Sequence, residues 1–172
     1  MIKSSDGRTL LREPRAEDAY ALQELRNDLE LQTSLLSLGR PNPAEKVRGW
    51  VEAIHNDPAS VFFVIACAGD GRFVGFIQVR AMDFVHGHGT VGLAIGQASR
   101  GSGHGGNALR MVEEYLISTF GLRKLLLNVA SANEKAVCLY LKLGYREVGV
   151  LKEHFFNKGA FHDVKIMEKI LL

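Results

Sequence analysis

The apolar positions along this chain change period several times, and each change marks an element. Thr9 to Arg12 reads as a short strand that Pro14 stops. Glu17 to Leu29 places Leu22, Leu25 and Leu29 on one face and predicts a helix with acidic residues at its start. Gln32 to Arg40 mixes leucines with polar residues and has no clear period. Val47, Trp50, Val51 and Ile54 then recur at helical spacing behind Asn42 as N-cap, Pro43 in the first turn and Glu45 at capping-box distance, which puts Trp50 in the core. Val61 to Ala68 is apolar and rich in β-branched and aromatic residues. It predicts a buried strand, joined through Gly69-Asp70-Gly71 to a second one over Phe73 to Met82.

Val91 to Ile95 is a further strand. A helix follows, with Ala108, Val112, Tyr115, Leu116 and Thr119 at helical spacing and Gly121 at its end. Lys124 to Ala130 returns to strand. Ser131 and Glu134 form a second capping box for a helix that turns Ala136, Val137, Tyr140 and Leu141 inward and closes at Gly144. Tyr145 to Phe156 and His162 to Leu172 read as two last strands around Asn157-Lys158-Gly159. The order β-α-α-β-β-β-α-β-α-β-β predicts an α/β (α+β mixed) fold, with helices on the faces of a mixed sheet, in one domain over residues 1–172.

The segment Arg100-Gly101-Ser102-Gly103-His104-Gly105-Gly106-Asn107 stands out, with four glycines between a strand and a helix. Glycines there let successive N–H groups converge on one hollow, and the helix N-terminus adds unpaired donors and the positive end of its dipole. That chemistry suits a phosphate, with Arg100 as an added charge. No Walker lysine follows, which excludes a nucleoside-triphosphate loop. Gly101, Gly103 and Gly106 match a dinucleotide fingerprint, but Lys124 to Val129 contains no acidic residue to hold a ribose, so a nicotinamide cofactor falls behind.

Composition narrows the picture modestly. A formal net charge of +2 gives no reason to invoke nucleic acid. The two cysteines, Cys67 and Cys138, lie in apolar segments without metal-ligand spacing and read as reduced, buried thiols. His86 and His88 have no third ligand nearby, so no metal is expected. The N-terminus lacks an apolar signal core and no apolar run reaches spanning length; a cytoplasmic protein with no membrane partner is the expectation.

Arg100-x-x-Gly103-x-Gly105 after the central strand, followed by Asn133-Glu134-Lys135-Ala136-x-x-x-Tyr140-x-x-x-Gly144-Tyr145, resembles the GNAT acyl-CoA N-acetyltransferase superfamily. The ending Gly149-Val150-Leu151-Lys152-Glu153, then Gly159-x-x-His162-Asp163-Val164-x-x-Met167, is similar to its RimJ/RimL-like branch, which also includes spermidine, amino-sugar and antibiotic acetyltransferases. The resemblance covers Thr9 to Leu171 and implies a mostly antiparallel sheet of about seven strands, a central parallel pair splayed at its ends, and four flanking helices. It also implies acetyl-CoA as donor, a primary amine of a small molecule or a protein N-terminus as acceptor, and homodimers.

Carried onto this chain, the resemblance assigns the CoA pyrophosphate to Arg100, Gly101, Ser102, Gly103, His104, Gly105, Gly106 and Asn107. Leu93, Ala94 and Ile95 take one side of the pantetheine arm. Asn133, with Lys135 and Ala136, takes the other, Ser131 being left as the helix cap. Tyr140 falls at the family's general-acid position, and a phenol stays protonated at neutral pH to serve a leaving thiolate. A backbone N–H near Leu93 to Ile95 is the oxyanion donor. Many relatives carry a Glu where this chain has Thr90, so the base is a water chain or His86 or His88. The missing carboxylate also keeps open a catalytically silent CoA-binding sensor or scaffold. Leu29 to Arg40, Met82 to His88 and Glu153 to Phe161 are expected to line the acceptor pocket, with Glu153 and Asp163 as charges for a cationic amine.

Overall fold

The computed structural model describes residues 1–172. Eight strands form one open sheet: β1 (Ile2–Lys3), β2 (Thr9–Arg12), β3 (Val61–Cys67), β4 (Phe73–Asp83), β5 (His88–Ile95), β6 (Lys124–Ala130), β7 (Arg146–Asn157) and β8 (Ala160–Ile170). Five helices flank it: α1 (Ala19–Asn27), α2 (Leu29–Ser34), α3 (Ala44–His55), α4 (His104–Phe120) and α5 (Glu134–Lys142). The strand order is β1-β2-β3-β4-β5-β6-β8-β7.

Two differences from the expected count have local causes. Residues 2 and 3 pair with Leu11 and Leu10, adding an eighth strand too short to leave a period in the sequence. The helix expected over Glu17 to Leu29 breaks at Asp28, whose backbone is extended (ψ 109°) and whose side chain accepts from the Leu31 N–H at 3.0 Å, starting α2. Asn42 does not cap α3. It is buried, donates to the carbonyls of Arg26 and Arg40, and takes the Asn27 side chain on its own N–H, so it ties α1 to the loop before α3.

Alternation along β4 and β5 sends neighbouring residues to opposite faces. Phe76 and Ala94 join Leu22, Leu25, Leu31 and Val47 under α1 to α3, with Trp50 packed edge-on to Phe62 and Phe76. Ile77, Val79 and Val91 join Leu109, Val112, Leu116 and Tyr145 under α4 and α5. Arg12 and Asp18, both nearly sealed from solvent, exchange two hydrogen bonds of 2.6 and 2.8 Å and anchor the start of α1 to β2. Cys67 is half-buried, but Cys138 lies on the solvent face of α5, which corrects the reading of two buried thiols.

β5 and β6 form the sheet's parallel pair, and it is short: His88, Gly89 and Thr90 face Lys124, Leu125 and Leu126. Beyond Thr90, β5 stays with β4 and β6 stays with β8, and the two strands separate. β4 and β5 are held close here by Gly75, where an added Cβ would fall 2.0 Å from the Ala94 carbonyl oxygen. Backbone cannot retract as a side chain can. Gly75→Ala is therefore expected to lower stability by about 2–4 kcal/mol in urea denaturation, and a variant as stable as the parent would refute this account of the contact.

Candidate active site

The splay between β5 and β6 opens a cleft of about 300 Å³. Thr90 to Leu93 line one wall, and Asn128 and Val129 the other. Asn133, Ala136 and Tyr140 of the α5 segment close one end, and Arg26, Ser34 to Ser37, Phe76 and Gln78 close the other. Leu36 sits at φ +55°, an unusual backbone for a bulky residue, in the short stretch that overhangs the cleft.

Gly101 and Gly103, at φ +78° and +83°, curl the chain between β5 and α4. The result is a run of six N–H groups, residues 101 to 106, none bonded to a protein acceptor; the first helical bond is Asn107 N–H to the Gly103 carbonyl. No acidic residue occupies the first turn of α4. Gly105 meets Leu93, Ile95 and Leu139 at 3.4 to 3.7 Å from where a Cβ would stand, so the loop abuts the splay. Ser102 is exposed at the tip, and Gly106 is buried next to Leu139 and Arg110.

Several side chains turn elsewhere than expected. The Arg100 guanidinium donates to the Ile95 carbonyl at 3.1 Å and lies 3.6 Å from Asp28, so it braces the loop against α2 instead of entering the hollow. His104 is buried, with Nδ1 2.9 Å from Thr9 Oγ1, and Asn107 donates to Asp6 and Thr9. Both side chains anchor the loop to the first hairpin, which leaves the His104 N–H to the hollow while the Asn107 N–H opens the helix. The cation against Gly103 is Arg8, 3.6 Å from that glycine's would-be Cβ. Arg8 and Arg110 carry no motif spacing and went unread in the sequence.

Asn133, not Ser131, caps α5: its Oδ1 accepts from the Ala136 N–H at 3.2 Å, while Ser131 Oγ is buried without a partner. Asn133 and Ala136 still line the cleft, whereas Lys135 is exposed and does not. Leu93 faces the cleft; Ala94 turns to the opposite core and Ile95 packs under α4. The expected acceptor wall is met only over Ser34 to Ser37. His86 and His88 stack on each other, 6.4 Å apart, at the start of β5 and away from the cleft, which removes them as bases. Asp163 is taken by Lys152 at 2.8 Å and the Glu153 N–H at 2.9 Å, and neither acid reaches the cleft.

Tyr140 is 9% exposed, with its ring edge-on to Tyr145 at 5.6 Å. Its hydroxyl has no protein hydrogen-bond partner and is not sealed, so it opens onto the cleft. Burial pushes its pKa up to about 12, which keeps the phenol protonated across the ordinary range. The neighbouring Tyr145 is engaged structurally: its hydroxyl donates to the buried Glu113 at 3.0 Å, and Lys169 pairs with the same carboxylate. Burial, then the Glu113 charge, drive the Tyr145 pKa strongly upward.

A parallel pair that splays, a run of free amides at its mouth and a lone phenol beside it form one arrangement. Residues 8–146 match the family described as Acetyltransferase (GNAT) domain. An uncharacterized N-acetyltransferase, YokL, of Bacillus subtilis is 30% identical over 154 residues, covering 89% of this chain and 84% of that protein. The spermidine N(1)-acetyltransferase of Vibrio cholerae is 30% identical over 112 residues, 65% of this chain and 64% of that enzyme. In structure, spermidine N-acetyltransferase from Vibrio cholerae in complex with CoA and spermine superimposes with a TM-score of 0.88 over 95% of this chain and 96% of that one; at 24% identity, that likeness is one of fold. The motif match over most of the chain and the full-length relative together place this protein in the GNAT family of acetyltransferases.

Proposed function

We propose that residues 1–172 form one catalytic domain that binds acetyl-CoA between β5 and β6 and transfers its acetyl group to a primary amine. The observation that carries this is the run of six unpartnered N–H groups, 101 to 106, opening onto the splay that ends at Tyr140. A diphosphate accepts from such a run at a helix N-terminus, and Arg8 and Arg110 add charge beside it. The amides of a pantetheine arm need main-chain partners, which the unpaired edges of β5 and β6 supply.

The amine lone pair attacks the thioester carbonyl, forming the C–N bond. A free N–H on the β5 edge steadies the oxyanion, the attacking nitrogen sheds to solvent the extra proton it now carries, and the C–S bond then breaks to leave amide and thiolate. Tyr140 donates to the departing sulfur. With a phenol near 12 and a thiol near 8.5, it acts first as a hydrogen-bond donor to developing charge, and full proton transfer follows only as solvent resupplies it. Self-association has a surface in the exposed end of the β7–β8 hairpin, where the tilted rings of Phe156 and Phe161 lie 5.1 Å apart.

Arg26 and Tyr140 are the titratable groups that line the cleft. The amine must therefore lose its proton to water held among Gln78, Thr90 and Asn128. Steady-state turnover of acetyl-CoA is expected to give a kcat/KM that rises with unit slope to the acceptor amine's own pKa and does not fall below about pH 11. Two amines of different pKa decide it: the rising limb should move with the amine. A limb fixed near 6.5 for both would assign a histidine base. Tight CoA binding with no amine turned over would favour the silent sensor, the reading that the carboxylate missing at Thr90 supports.

A further inference from the structure

The geometry points to an acceptor that carries a carboxylate beside its amine, an amino-acid-like molecule held through Arg26, and not to a polyamine. This rests on the acetyl-transfer reading above and names the substrate class of the same cleft.

Arg26 comes from the last turns of α1, half-buried, with its guanidinium carbon 4.5 Å from the centroid of the Trp50 ring. Its Nε is sealed from solvent with no hydrogen-bond partner, and no carboxylate pairs with the group. It lines the β5–β6 cleft and also an adjoining hollow of about 260 Å³, shared through Leu35 and Ser37, whose other charges are Arg40 and Lys46. Neither lining contains an Asp or Glu. A half-buried guanidinium with no carboxylate beside it is partly desolvated without compensation, and the fork of N–H donors it offers matches a carboxylate.

Across the same cleft stands an orphan of the opposite kind. Gln78 lines the cleft, packed on Gly92 of β5 with its Nε2 3.3 Å from where a Cβ would stand, and its Oε1 is sealed without a donor. The Arg26 Nη nitrogens, neither sealed nor hydrogen-bonded in the protein, offer donors to a carboxylate, and the Gln78 amide accepts from an amine once its side chain turns into the cleft. Spermidine has only the amines. Its further ammonium groups would face Arg26, Arg40 and Lys46 with no carboxylate to neutralise them, which costs binding directly. The cleft also holds the thioester end, so its 300 Å³ favours a small amino acid or amino-carboxylate over a long chain.

The test uses the full chain. CoA binding is first measured by calorimetry. Acetyl-CoA turnover is then followed with amino acids and short ω-amino acids, each against its own carboxamide, and with spermidine. At least one amino-carboxylate should exceed its carboxamide by about 100-fold in kcat/KM, with spermidine lower still. Arg26→Met, which keeps the stem on Trp50, should raise KM for that amino-carboxylate by about 30-fold, leave kcat near the parent and leave the carboxamide unaffected. Arg26→Lys should recover part of the loss. Carboxamides equal to acids, or spermidine as the best acceptor, overturns the inference while acetyl transfer stands. No binding of CoA overturns both.

Discussion

Tyr140→Phe is expected to lower kcat by about 10²- to 10³-fold while CoA affinity stays within about twofold. The substitution is clean because the hydroxyl bonds to nothing in the protein. The ring's contact with Tyr145 at 5.6 Å survives in phenylalanine, so folding stability should change by less than about 0.5 kcal/mol. In the proposed mechanism, what disappears is one O–H beside the scissile C–S bond, an interaction that matters only as sulfur gains charge. That is the signature of transition-state stabilisation, a fall in kcat without a change in ground-state binding. Single-turnover rates check it, since slow product release would otherwise mask the chemical step. An unchanged single-turnover rate removes the phenol from the mechanism.

Gly103→Glu should weaken CoA binding by at least about 100-fold, the second large effect. Gly103 sits at φ +83°, and space around its would-be Cβ is open apart from Arg8 at 3.6 Å. A glutamate there brings a negative charge to the ring of N–H donors, pairs with Arg8, and repels the diphosphate. Backbone strain alone at this position costs about 1–2 kcal/mol, so Gly103→Ala is the control. The alanine variant should lose some stability but keep most CoA affinity by calorimetry. Equal binding by the two variants would mean that the hollow does not hold the diphosphate.

The comparison of Asn133 with Ser131 illustrates what local patterns miss. Both are good caps in the sequence, two residues apart, and the choice depends on where β6 ends and α5 must start. Asn133 wins because its carbonyl oxygen reaches the Ala136 N–H, while Ser131 is carried under β8, its own N–H bonded to the Asp163 carbonyl. Arg100 likewise carries the spacing of a phosphate ligand, but Asp28 and the Ile95 carbonyl claim it. Arg26 and Gln78 belong to no motif at all. One sits on an amphipathic helix and the other on an alternating strand, and nothing local says that both face one cleft.

By itself, the sequence determined most of the elements and the glycine turn, because each depends on short-range periodicity or on the backbone freedom of a few residues, whereas the parallel pair and the role of Tyr140 were implied by the family resemblance alone. The tertiary structure decided which charged and polar side chains face the cleft and which brace the scaffold. His104 is turned inward by Thr9, 95 positions away, and Arg26 rests on Trp50 of α3 with its Nε unbonded. Such choices are settled by long-range pairing and desolvation, whose energies have no signature in the neighbouring residues.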